Sequence, residues 1–186
     1  MPLYISSPLQ WEMKAEPYLD NPKTGPTWDK YYLSTCHGPV GTTLVFRMLY
    51  ELTGEQEYLD WIKRLARGII RAGAPEKNSW GYWASNCQCC GAPGVLEHFV
   101  SVYELTGEEE FLEYAKRTAD VLVGDSQLLD GKRRWMSAWN RPTPEVVKSF
   151  TGFYVGSAGG SSSLLKPYSA LENKPFTDIF EYIYFD

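Results

Sequence analysis

No run of apolar residues in this 186-residue chain approaches the roughly 20 needed to cross a bilayer, so no membrane-spanning helix is expected. The opening stretch from Met1 to Trp11 lacks the basic region followed by an apolar one that marks an export signal. The expected location is therefore the cytoplasm, where thiols stay reduced. Positive charge is not in excess either. The chain has 18 Lys and Arg against 23 Asp and Glu, and the formal charge of −5 leaves no electrostatic footprint for nucleic acid. What is present is an ordinary globular composition, 44% hydrophobic and 22% charged, long enough for one domain with its own core. Aromatic residues, at 15%, suit thick packing layers between helices.

In a reducing compartment four cysteines read first as metal ligands, then as catalytic thiols, and last as disulfides. They are carried on glycine motifs. Cys36-His37-Gly38-Pro39-Val40-Gly41 and Cys89-Cys90-Gly91-Ala92-Pro93-Gly94 each precede an apolar stretch of helical length. A third motif, Val155-Gly156-Ser157-Ala158-Gly159, keeps the glycine frame without sulfur.

The motifs belong to an internal repeat. Tyr50-Glu51-Leu52-Thr53-Gly54-Glu55 recurs as Tyr103-Glu104-Leu105-Thr106-Gly107-Glu108, and at the same offset Cys36 falls on Cys89, His37 on Cys90, Gly38 on Gly91 and Gly41 on Gly94. The third copy aligns Gly156 and Gly159 with Gly91 and Gly94 and then fades, with Pro167 and Pro175 expected to interrupt any long helix. Within a repeat, Leu44, Val45, Met48, Leu49 and Leu52 are spaced as one amphipathic helix. Tyr58, Leu59, Ile62, Leu65, Ala66, Ile69 and Ile70 form a second. Gly54 and Gly107 stand where the first helix should end in the left-handed conformation, and Glu55 and Glu108 open the next. The expected fold is all-α: stacked helical hairpins over residues 31–186, with repeats near 36–88, 89–151 and 152–186. A Pro-rich segment covers residues 1–30. The connectors Gly73–Gln88 and Gly124–Thr151 carry Trp80, Tyr82, Trp83, Trp135 and Trp139, which read as ordered loops.

Gly38, Gly41, Gly91 and Gly94 are expected to let the backbone turn sharply into each helix. The residues before them then lie at the positive end of a helix dipole, which favours thiolate, the metal-binding form. If equivalent positions converge, Cys36, Cys89 and Cys90 meet. Three protein ligands with one open position is the pattern of a catalytic zinc site. Other readings stand beside it. Cys36 and one of the pair also read as small buried side chains, and Cys89 and Cys90 as a vicinal disulfide, which a reducing compartment disfavours. Cys36 or Cys90 paired with His37 or His98 makes a nucleophile. Cys87 offers a fourth ligand or a loop neighbour. His37 serves to orient a substrate, to shuttle a proton, or simply to bond locally at the helix start.

These residues resemble the lanthionine synthetase C-like (LanC-like) cyclases. Thr35-Cys36-His37-Gly38 is similar to that family's Trp-Cys-x-Gly zinc motif, with Thr35 in place of Trp. Cys89-Cys90-Gly91 is similar to its Cys-His-Gly motif, in the Cys-Cys-Gly form. Gly156-Ser157-Ala158-Gly159 resembles its metal-free last motif. The resemblance covers Tyr31 to Asp186 and implies an α/α toroid, of which this chain is similar to about the C-terminal half. It implies Zn2+ held by Cys36, Cys89 and Cys90, and the family's catalytic Asp and His have no counterpart here.

In that family a peptide cysteine adds to a dehydroalanine or dehydrobutyrine to close a thioether ring. The implied partner is thus a peptide or small thiol substrate, with His37 the nearby proton donor. A second reading is a non-catalytic zinc-binding helical module. A half-ring exposes an inner face and an open end, inviting a homodimer or association with a missing N-terminal half. A third is a sugar-cleaving α/α barrel, whose carboxylates would come from connector residues such as Asp125, Asp130 and Glu145.

Overall fold

The computed structural model describes residues 33–76, 85–137 and 147–172. The expected segment 1–30, connector residues Trp80, Tyr82, Trp83, Trp139 and Glu145, and Pro175 lie outside these. The described residues form an all-α arrangement of hairpins, as the repeat predicts. Helices α1 (Pro39–Thr53) and α2 (Gln56–Arg71) make the first hairpin, and α3 (Ala92–Thr106) and α4 (Glu109–Gly124) the second. Helix α5 (Ser157–Leu171) packs against α3 and α4. Each hairpin turns at a glycine in the left-handed region, Gly54 at φ 70° and Gly107 at φ 67°. Their amides donate to the carbonyls of Tyr50 and Tyr103, which closes the preceding helix.

The motif glycines have a different purpose from the one expected of them. Gly38, Gly91 and Gly156 cap their helices in extended backbone, with φ of −143°, −137° and −137°, which any residue adopts. What they provide is close approach. A Cβ on Gly91 would stand 1.6 Å from the Ser85 carbonyl oxygen, and one on Gly156 would stand 2.4 Å from that of Phe150. One turn later, a Cβ on Gly41, Gly94 or Gly159 would meet the carbonyl oxygens of Thr35, Gln88 and Phe153 at 2.0, 2.4 and 2.0 Å. Each motif loop is therefore folded back onto the first turn of its own helix, and the absent side chains leave the room.

Apolar burial centres on α3. Val95, Leu96, Phe99, Val100 and Val102 are buried there, against Ile62, Ala66 and Ile69 of α2 and Phe111, Ala115 and Leu122 of α4. Trp135 closes one side, its indole N–H donating to the Leu122 carbonyl at 2.6 Å. Phe46 of α1 stacks on Trp61 of α2 with ring centroids 5.5 Å apart. Between hairpins, Lys63 and Arg67 of α2 meet Glu108 and Glu110 near the start of α4.

Three expectations need correction. Of the stripe Leu44, Val45, Met48, Leu49 and Leu52, Leu49 is half-buried and the other four are exposed, because no hairpin precedes α1 among the described residues to cover them. Pro167 does not interrupt α5, which runs on to Leu171 with Pro167 buried, so packing outweighs the lost backbone hydrogen bond. The second connector holds a hairpin, β1 (Gln127–Leu129) antiparallel to β2 (Lys132–Arg134). It turns on Asp130-Gly131, both at positive φ (50° and 72°), as a two-residue hairpin of this type requires.

His98 of α3 is buried, and its Nε2 has no partner among the described residues. Burial pushes its pKa down to about 4 from 6.5. The unfolded chain therefore takes up the proton first. The contribution to stability is complete above pH 6.5 and is lost as pH falls toward 4, on the order of 3 kcal/mol. Urea unfolding across that window should show falling stability for the native chain and a flatter profile for His98→Leu.

Candidate metal centre

The loop Thr35-Cys36-His37 enters α1, Gln88-Cys89-Cys90 enters α3, and Phe153-Tyr154-Val155 enters α5, all three in the same turn conformation. They are joined edge to edge through equivalent residues. The Cys36 amide donates to the Cys89 carbonyl at 3.4 Å, and the Cys89 amide donates to the Tyr154 carbonyl at 3.1 Å. The repeat thus sets its motif loops side by side, and sulfur from two of them meets.

Cys36, Cys89 and Cys90 have Sγ atoms all within 4.8 Å of one another. Cys90 lies 3.8 Å from Cys36 and 3.2 Å from Cys89. Thiolates sharing a tetrahedral zinc at about 2.3 Å stand about 3.8 Å apart, so the three fit one ion with little adjustment. Cys36 is exposed and the other two half-buried, which leaves the cluster open on one side.

Cys87 is buried just beneath, 3.9 Å from Cys89 and 3.1 Å from the Ser85 hydroxyl, but it does not join the group whose sulfurs all lie within 4.8 Å. All four thiols are free. Hydrogen bonds from Cys89 and Cys90 hold the Cys87 thiol well below its ordinary pKa, while Cys89 and Cys90 are pushed up, chiefly by their sulfur neighbours. In physical terms the crowded sulfurs give up one proton readily and resist losing more. A cation among them removes that resistance.

His37 is exposed beside Cys36 on the same loop. His98 lies buried along α3, and no hydrogen bond joins it to a thiol among the described residues, so the Cys–His98 nucleophile gains no support. Asp125 and Asp130 sit at exposed positions around the β-hairpin.

Beneath Cys89 lies a polar cluster that the sequence does not announce. The buried Gln88 side chain reaches Ser163 of α5, whose Oγ is 2.7 Å from Gln88 Oε1 and 3.0 Å from Glu97 Oε1. Glu97 in turn pairs with Lys166 at 3.2 Å, both side chains about nine-tenths buried. With the Gln88 amide turned so that Nε2 faces the hydroxyl, Ser163 accepts from Gln88, and its one proton is shared between Glu97 and the Gly159 carbonyl, each 3.0 Å away. The signal was faint in sequence because Gln88 and Ser163 are 75 residues apart.

Stacked hairpins whose glycine loops gather three thiols at one mouth define a helical-repeat protein with a site able to hold a metal ion. The particular family follows from comparison. The chain belongs to the lanthionine synthetase C-like family, whose sequence model matches residues 36–181. No curated protein matches it.

Ser163→Ala strips Gln88 and Glu97 of a buried partner and should destabilise the fold by about 1–3 kcal/mol, measured by urea unfolding. Alkylation followed by mass spectrometry should show Cys89 labelling severalfold faster while Cys36, already exposed, changes little.

Proposed function

We propose that the protein binds one zinc ion through Cys36, Cys89 and Cys90 and activates a thiol for addition to a dehydroamino acid, forming a thioether. The observation that carries this is the meeting of three sulfurs from two hairpins at an open mouth, in a chain of this family. Zinc bound there would supply the positive charge that lets an incoming thiol ionise near neutral pH. Three protein thiolates leave a formal charge of −1, which lowers electrophilic power and raises the nucleophilicity of the thiolate partner.

The chain's own groups complete the chemistry. Helix ends behind the Cys36 and Cys89 loops stabilise the negative sulfurs. The side of the cluster at exposed Cys36 admits the substrate. Addition makes a C–S bond at the β-carbon and sends the electron pair toward the carbonyl; the proton lost by the thiol must return to the α-carbon. In this reading His37, exposed on the loop beside Cys36, carries that proton. A second reading is a zinc-binding helical module without catalysis, in which His37 is only a surface residue.

Metal analysis of the purified chain should find one zinc per chain. Alanine at Cys36, Cys89 or Cys90 should abolish it, and Cys87→Ala should retain it. Loss of zinc in Cys87→Ala with retention in Cys36→Ala would make the ligand set wrong. Intramolecular thioether closure leaves the peptide mass unchanged, so activity is read as loss of a maleimide-reactive thiol in a peptide carrying Cys and dehydroalanine. Turnover by the native chain, reduced at least about tenfold in His37→Ala, supports the catalytic reading. Stoichiometric zinc with no thiol loss assigns the chain to the second.

A further inference from the structure

The repeat allows each position of α1 to be compared with its equivalents in α3 and α5. Val45, His98 and Ser163 are one such set, and their exposures are 58%, 5% and 0%. Ser163 is buried against Gln88 and Glu97, residues of the preceding repeat. Met48, Ser101 and Lys166 form the next set. Ser101 accepts a hydrogen bond from Arg47 of α1 at 2.6 Å, and Lys166 pairs with Glu97 of α3, so this position again meets the helix before it. Met48 is exposed. Leu52, the equivalent of half-buried Leu105 and Ala170, is 80% exposed. One face of α1 is therefore built from the positions that α3 and α5 use to dock on a preceding helix, and on α1 those positions are apolar and uncovered.

The complementary face recurs at the other end. Arg47 of α1 reaches the following repeat at Ser101, and its equivalent in α3, Val100, is 1% exposed. The third member of that set is Leu165 of α5, 55% exposed. Beside it on the helix surface lie the small Ser161 and Ser162 and the exposed Tyr168. Among the described residues, α1 thus presents a trailing face and α5 a leading face, the two surfaces that successive repeats bury against each other inside the chain.

We propose that these faces are the interface between two copies of this chain. The leading face of α5, centred on Leu165, docks on Val45, Met48 and Leu52 of α1 in the second copy, and the second copy returns the same contact. The pairing extends the interface already made within the chain. It is head to tail, with different surfaces meeting, and two copies satisfy both ends. It stands independently of any metal at the thiol cluster.

Size-exclusion chromatography with light scattering on the full chain should give twice the 21.2 kDa chain mass. Val45→Glu and Leu165→Glu should each weaken dimerisation at least about tenfold while leaving the helical circular dichroism unchanged, since both side chains are exposed. The two variants mixed together should recover a dimer, because the intact leading face of one still fits the intact trailing face of the other. A monomeric native chain overturns the proposal, whatever then covers α1. So does a dimer that the Leu165 variant leaves intact, as a like-with-like contact through α1 predicts, or a mixture that contains no dimer at all.

Discussion

Everything at the thiol mouth depends on the folding of each motif loop onto the first turn of its own helix. The carbonyls of Thr35, Gln88 and Phe153 occupy the space that a side chain at Gly41, Gly94 and Gly159 would fill. This contact fixes the loop relative to the helix. The helices are in turn fixed by their hairpin partners and by the buried layer around Phe99. A cysteine on such a loop inherits its position from the core. The bonds from Cys36 to Cys89 and from Cys89 to Tyr154 then carry that order sideways, from one repeat to the next.

The arrangement has an electrostatic consequence. Sulfurs held within 4.8 Å share protons poorly: Cys89 and Cys90 are pushed up chiefly by their hydrogen bonds to Cys87, with burial and the neighbouring sulfur charge adding to it. Helix N-termini offset part of it, and a cation offsets far more. The third repeat contributes no sulfur, yet it presents Tyr154 to one side of the Cys89 loop and Ser163 beneath it. A repeat that has given up chemistry thus acts as a buttress for its neighbour.

Repetition also explains what lies at the ends. In a stacked array each unit covers one face of the next, so the terminal units carry surfaces that interior units bury. The exposure of Val45 beside the burial of His98 and Ser163 is this rule seen in one chain. The same equivalence that places thiols together therefore also identifies which helix faces lack a neighbour among the described residues.

Much of this was legible in the sequence, because identical local frames take identical local structure. The turns at Gly54 and Gly107, the helices of both clear repeats and the convergence of Cys36, Cys89 and Cys90 all follow from the 53-residue offset between repeats. Local pattern does not reveal what a helix face will meet. The apolar spacing of α1 reads like a buried stripe, and only the position of its neighbours leaves it uncovered. Pro167 reads as a break, and only packing against α3 carries α5 through it. Gln88 and Ser163 acquire their roles from one hydrogen bond across 75 residues, a distance in sequence that no periodicity spans. The repeat determined where the sulfurs converge. The tertiary structure alone decided what holds them there, since burial and long-range hydrogen bonds belong to pairs of elements rather than to either one.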